Sequence, residues 1–161
     1  MAKIEARLAE LGLVLPEPLK TPPGMVLPFP WVNVRGDRVF ISGHGPQEAD
    51  GSPAGPFGAV GRDVSVEHGK EVARKVALSM LGSLQRELGD LNRITGWGRV
   101  LGMVNCAPGF DKLSAVINGI SEVLLDVFGP EVGRHSRTAV GVAGLPLNFA
   151  VEAEAEVTIR I

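Results

Sequence analysis

The C-terminal stretch alternates almost without fault. Val151, Ala153, Ala155, Val157, Ile159 and Ile161 fall on one side of an extended chain, and Glu152, Glu154, Glu156, Thr158 and Arg160 on the other. A period of two predicts a strand from Phe149 to Ile161 with one dry face and one polar face. Two other segments carry a helical period. Over residues 66–88, Val72, Val76, Ala77, Met80, Leu84 and Leu88 recur at spacings of three and four, and Gly89 follows as a stop. Over residues 111–128 the stripe is Leu113, Val116, Ile117, Ile120, Leu124 and Val127, closed by Gly129-Pro130. A shorter helical pattern over residues 2–11 places Ile4, Leu8 and Leu11 together, and Gly12 and Pro16 limit it.

Between these lie shorter β-type runs. Trp31–Val34 and Val39–Gly43 read as strands joined by a turn at Arg35-Gly36-Asp37-Arg38. Trp97–Cys106 is a strand whose apolar residues do not strictly alternate, so burial on both faces is expected. Arg137–Val142 is a fourth strand. The order is therefore β-β-α-β-α-β-β, an α+β fold: a mixed sheet with two helices on one face. Two helices cover only one face of such a sheet, and the other must meet water or a partner.

The 161 residues suit a single domain, of which residues 1–28 form a helical and Pro-rich lead-in and 29–161 the main body. Glycine and proline, 21 and 12 residues, gather at 16–30 and 43–61. The loop beginning at His44 is long for a compact domain and is read as functional or floppy. A net charge of −2 disfavours a nucleic-acid partner bound through a basic face. One cysteine, Cys106, allows no internal disulfide and no Cys-rich metal site, and no metal is expected. Cys106 is read as a buried thiol. The N-terminus lacks the apolar run of a signal peptide, no membrane span is read, and the cytoplasm is the expected location.

The chemistry-bearing motifs lie near the ends. Arg137-Thr138-Ala139-Val140-Gly141-Val142-Ala143-Gly144-Leu145-Pro146, then Val151-Glu152-Ala153-Glu154-Ala155, resembles the C-terminal signature of the RidA/YjgF/L-PSP family. Val39-Phe40-Ile41-Ser42-Gly43-His44-Gly45-Pro46 resembles that family's N-terminal motif. The similarity of motif and element order runs from about residue 29 to the end. It implies a chorismate-mutase-like homotrimer with a barrel-like centre, helices outside and a ligand cleft at each subunit boundary. It also implies hydrolysis of reactive enamine or imine acids, such as 2-aminoacrylate, to the keto acid and ammonia, with no cofactor.

By the same resemblance Arg137 holds the carboxylate of a small ligand, and a guanidinium fork suits that group. The plainer alternative is a surface arginine ending a loop. Glu152, fifteen residues on, matches the acid that handles water, and a carboxylate in a cleft can act as a general base. Otherwise it is a solvated strand glutamate like Glu154 and Glu156. Asn118 and Ile117 match cleft positions on the second helix, though Asn118 could equally be an exposed helix residue. Gly43 and Ala139 match positions whose backbone groups contact ligand. Alanine stands where cysteine is frequent in the family, so thiol chemistry is absent there.

Three departures mark a divergent subgroup. Phe29 stands at the position of a tyrosine, with Trp31 near enough to take that place after a small shift. His44 replaces a glutamine, and the segment from Asn118 to Arg137 is lengthened through residues 129–135. His44 and His135 are read as two loop histidines rather than an acid/base or metal pair, and His68 as structural. Two further classes of function remain: a non-catalytic binding protein for small carboxylates, which the missing hydroxyl at Phe29 favours, and a ribonuclease, against which the absence of a basic patch argues.

Overall fold

The computed structural model describes residues 3–161. The N-terminal helical pattern forms α1 (Lys3–Glu10), and Ala2 of that pattern lies outside the described residues. The remaining elements are β1 (Val32–Arg35), β2 (Arg38–His44), α2 (Val66–Leu88), β3 (Ile94–Asn105), α3 (Leu113–Val132), β4 (Ser136–Val142) and β5 (Val151–Ile159). The five strands form one mixed sheet in the order β1-β2-β5-β3-β4. Only the β3–β4 pair is parallel, as a crossover through α3 requires.

Local chemistry sets the helix limits. Ser65 caps α2 by accepting from the His68 backbone N–H at 3.1 Å, and Gly89 ends it in the left-handed conformation at φ 76°. His68 itself is exposed and contributes its backbone there. In α3, Gly129 breaks the helical path with φ 79° and ψ 174° ahead of Pro130, and a last short turn follows to Val132. By length and composition α3 could cross a membrane, but its apolar stripe is core: Val116, Ile117, Ile120, Val123 and Leu124 are fully buried.

α2 and α3 cover the sheet face that carries Val39, Ile41, Val100, Val104, Val151, Ala153 and Val157. The β5 alternation holds: Val151, Ala153, Ala155, Val157 and Ile159 are buried, while Glu154 and Thr158 on the reverse face are exposed. α1 packs Ile4 and Leu8 near the C-terminal end of α3, and Arg7 Nε donates to the Asp126 carbonyl at 2.9 Å.

β3 departs from the reading of burial on both faces. Its pairing with β5 shifts register between Ile94 and Gly96 and again between Trp97 and Arg99. These irregularities hide an ordinary alternation. From Val100 onward Val100, Gly102 and Val104 are buried under the helices, while Leu101 and Met103 on the reverse face are only partly covered. That reverse face also carries Phe40, Val140 and the β5 glutamates, since Met103 pairs with both Glu152 and Val140, and Leu101 with Glu154. Phe40 and Val140 are exposed there. The Arg38 guanidinium spans Glu156 and the Phe40 ring, donating from Nε to Glu156 at 2.7 Å.

The segment 43–61 is ordered rather than floppy. Ala54, Ala59 and Val60 are buried, and Val60 bridges to Cys106 at the end of β3.

Candidate active site

The expected site residues fall into two groups. The first is built on β4 and α3. Arg137 pairs in register with Val100, which is fully buried beneath the helices, so its side chain leaves the sheet on the α3 side. There its Nη1 donates to Asn118 Oδ1 at 2.7 Å and to Ser121 Oγ at 3.2 Å. Asn118 and Ser121 are three residues apart and so share one face of α3. Asn118 is an exposed helix residue, and it is also the one that holds the arginine.

Ser121 continues the network to His135. The imidazole Nδ1 lies 2.7 Å from the Gly133 carbonyl and must donate to it; in the neutral ring Nε2 then accepts from the Ser121 hydroxyl at 2.8 Å. Arg137, Ser121, His135 and the Gly133 carbonyl thus form a continuous donor chain. Among the described residues no acidic side chain pairs with Arg137. Arg137 is thus a half-buried guanidinium whose side-chain partners are neutral acceptors. Ala139 lies two residues along β4 on the same side, half-buried.

Ile117 lies inward of the surface of the single chain. It is fully buried and packs directly over Gly102, where an added Cβ would come within 2.6 Å of it. It belongs to the core between α3 and β3.

The second group surrounds Glu152. This residue pairs with Met103 and leaves the sheet on the face away from the helices. Its carboxylate sits over Gly43, where any Cβ would collide with Glu152 Oε1. Gly43 lies in a β-bulge between Ile41 and His44 that opens this space. Glu152, Gly43, Phe29, Trp31, Leu147 and Phe149 line a cavity of about 230 Å³. Burial raises the Glu152 pKa above the usual glutamate value, and the Glu154 carboxylate on the same face adds to the rise. Phe29 and Trp31 both reach this cavity, edge to face at 5.7 Å, so the two candidates for the tyrosine position stand side by side.

The histidines do not form a pair. His44 is the last residue of β2 rather than a loop residue, and it is only 3% exposed. Its Nδ1 donates to the Ser42 carbonyl at 2.6 Å, and its Nε2 accepts from the Ser83 hydroxyl at 2.9 Å. Ser83 Oγ in turn accepts from Arg86 at 3.2 Å. Burial lowers the His44 pKa to about 4; the Ser42 carbonyl opposes this and the Arg86 charge adds to it. It is neutral near pH 7. Among the described residues no cluster of metal-ligating side chains exists. Cys106 is half-buried rather than buried, with its sulfur packed over Gly141.

Sequence reasoning missed Ser121, His135 as part of the Arg137 network, and the wall of the Glu152 cavity contributed by residues 19–27. The first had a signal, the three-residue spacing from Asn118. The last had none, because an extended Pro-rich segment carries no period.

Comparison with known proteins agrees with this architecture. A family model described as "YjgF/chorismate_mutase-like, putative endoribonuclease" matches residues 5–153, so the match also takes in most of the lead-in. Protein TCP17 of Trypanosoma cruzi is 37% identical over 159 residues, covering 98% of this chain and 95% of that protein. The crystal structure of Atu1372 from Agrobacterium tumefaciens, a protein of unknown function, superposes with a TM-score of 0.87 at 36% identity, covering 99% of this chain and 94% of that one. A Shewanella oneidensis structure described as a putative endoribonuclease gives 0.86 at 29% identity, covering 98% and 99%. The chain belongs to the YjgF/chorismate-mutase-like family.

Proposed function

We propose that this protein hydrolyses small enamine or imine acids to the keto acid and ammonia, in sites completed between neighbouring copies of the chain in a cyclic homotrimer. Arg137 binds the carboxylate, Asn118 and Ser121 hold the guanidinium, and Glu152 of an adjacent copy handles water. The observation that carries this reading is the pair of incomplete half-sites. One is a half-buried cation with no acidic partner among the described residues, and the other is a half-buried carboxylate with a raised pKa, on the opposite face of the same sheet. A second copy that covers the reverse face supplies what each half lacks. The mixed character of that face, with Phe40, Leu101, Met103 and Val140 among glutamates, suits a subunit contact.

The chemistry is a balanced hydrolysis. Water adds to the imine carbon while Glu152 takes one of its protons and passes it to nitrogen; the proton of the resulting hydroxyl then follows to nitrogen through the same carboxylate, the C–N bond breaks as the C=O forms, and ammonia leaves. A glutamate with a raised pKa suits both halves of that transfer. The imine is already activated toward water, so the step as written involves no cofactor.

Ammonia and keto-acid release from imines generated in the assay, with Glu152→Gln as control, tests the reading. Release that depends on Glu152 supports it. Carboxylate binding without any release would leave a binding protein, favoured by the missing hydroxyl at Phe29. The family description names endoribonuclease activity. RNA cleavage lost in Arg137→Ala would favour that reading instead.

A further inference from the structure

We propose that the substrate is a 2-imino acid with a large apolar side chain, aryl or branched alkyl, and that the cavity beside Glu152 is the pocket for that side chain. This rests on the proposed function and names the substrate class of the same site. The cavity measures about 230 Å³. An apolar cavity of about 150 Å³ suffices for benzene in another protein, so a phenyl ring or a branched alkyl chain fits, and a methyl group would leave most of the space unfilled.

The lining says what it prefers. Leu19, Met25 and Leu27 from the lead-in, with Phe29, Trp31 and Leu147, make the walls. Among the described residues the only charged groups at the cavity are Glu152 and Lys20, and the Lys20 ammonium is turned to Asp50 at 3.2 Å. A polar side chain entering here would lose water and find few partners. Glu152 stands at the same cavity, so a side chain seated there keeps the neighbouring imine carbon close to the carboxylate.

A strained turn maintains the wall. Leu147 and Asn148 hold φ of 55° and 58°, the left-handed region, although neither is glycine. The turn is fastened at both sides. The Asn148 carbonyl accepts from the Gly58 backbone N–H at 2.9 Å, and the Phe149 carbonyl accepts from Nδ2 of buried Asn105 at 3.2 Å. Glycine would adopt this path without strain. A leucine kept there, half-exposed at the cavity, points to a use for its side chain. On the other side of the cavity, a Cβ at Gly45 would collide with the Phe149 ring.

The test is calorimetric binding of stable 2-keto acids to the full chain: phenylpyruvate, 4-methyl-2-oxopentanoate and pyruvate. The first two should bind at least about 10-fold more tightly than pyruvate. Leu147→Gly, which the backbone accommodates, should collapse that ratio toward one without lowering Tm, and Met25→Ser should reduce it too. Equal affinities in the wild type, a ratio unchanged in both variants, or no binding of any keto acid at millimolar concentration would overturn the proposal. Failure of the proposed function reads differently: the ratio and its loss in Leu147→Gly persist, but no imine made from phenylalanine, leucine or alanine by an amino-acid oxidase is hydrolysed.

Discussion

Arg137 and Glu152 project from opposite faces of one sheet. Arg137 shares the side of Val100 and reaches α3, whereas Glu152 shares the side of Met103, three residues along the same strand and therefore on its other face. Two strand spacings and three residues of rise put their Cα atoms roughly 14 Å apart. No small ligand touches both within one chain, so a site that uses both needs two chains.

Arg137→Ala should abolish binding of small carboxylates with the fold intact, at a loss on the order of 2–5 kcal/mol. Arg137→Lys should recover part of it, because a point charge cannot reproduce the two-donor fork or hold Asn118 and Ser121 together. Calorimetry with a keto acid measures both variants. Wild-type affinity in Arg137→Ala would remove the arginine from the site.

Glu152→Gln should lower turnover by about 10²–10⁴-fold, the usual contribution of a positioned acid/base. It should not destabilise the chain near pH 7. The folded pKa of Glu152 lies above its unfolded value, so the folded state binds the proton more tightly and loses stability as pH rises through that interval. A neutral amide escapes this penalty. Tm of the variant should match or exceed wild type at pH 7.5, with the difference shrinking toward pH 4. A clear drop in Tm at pH 7.5 would mark Glu152 as structural.

His44 predicts the acid behaviour of the fold. Its folded pKa, about 4, lies below the unfolded 6.5, so the folded chain binds fewer protons and is favoured above pH 6.5. That contribution is lost as pH falls from 6.5 toward 4 and is worth on the order of 3 kcal/mol in full. Urea denaturation across this range should show the decline, and His44→Gln should flatten it. An equal decline in the variant would assign the effect elsewhere.

Phe29 shares a cavity with Glu152 rather than with Arg137 of its own chain. Phe29→Tyr places a hydroxyl beside the carboxylate and should raise imine hydrolysis about 10-fold if it adds one transition-state hydrogen bond of ~1.4 kcal/mol. An unchanged kcat would show that the hydroxyl is dispensable here.

Where short-range chemistry fixes the chain, the sequence could be read closely. α2 runs over residues 66–88 as expected because Ser65 and Gly89 are local caps, and β5 alternates because one of its faces is dry. β3 was harder: two register shifts break the period that a reader counts. The glycines on either side of His44 read as loop, yet the β-bulge carries the strand one residue further and buries it. The Arg137–Asn118 contact was reachable through motif resemblance. The cavity wall from Leu19 to Leu27 depends on tertiary folding of a segment without periodicity, and the helical stripe that carries Ile117 does not distinguish a cleft wall from the core behind it.

The central claim, that Arg137 of one copy works with Glu152 of another, is tested by subunit complementation. Arg137→Ala and Glu152→Gln are each inactive on this account. Unfolded together in equal amounts and refolded, they should regain activity, because random assembly of a cyclic trimer pairs an intact Arg137 with an intact Glu152 at about a quarter of its interfaces. Recovery near a quarter of the wild-type rate is the predicted result. A mixture as inactive as its components, with hybrid trimers verified by mass, would contradict the account.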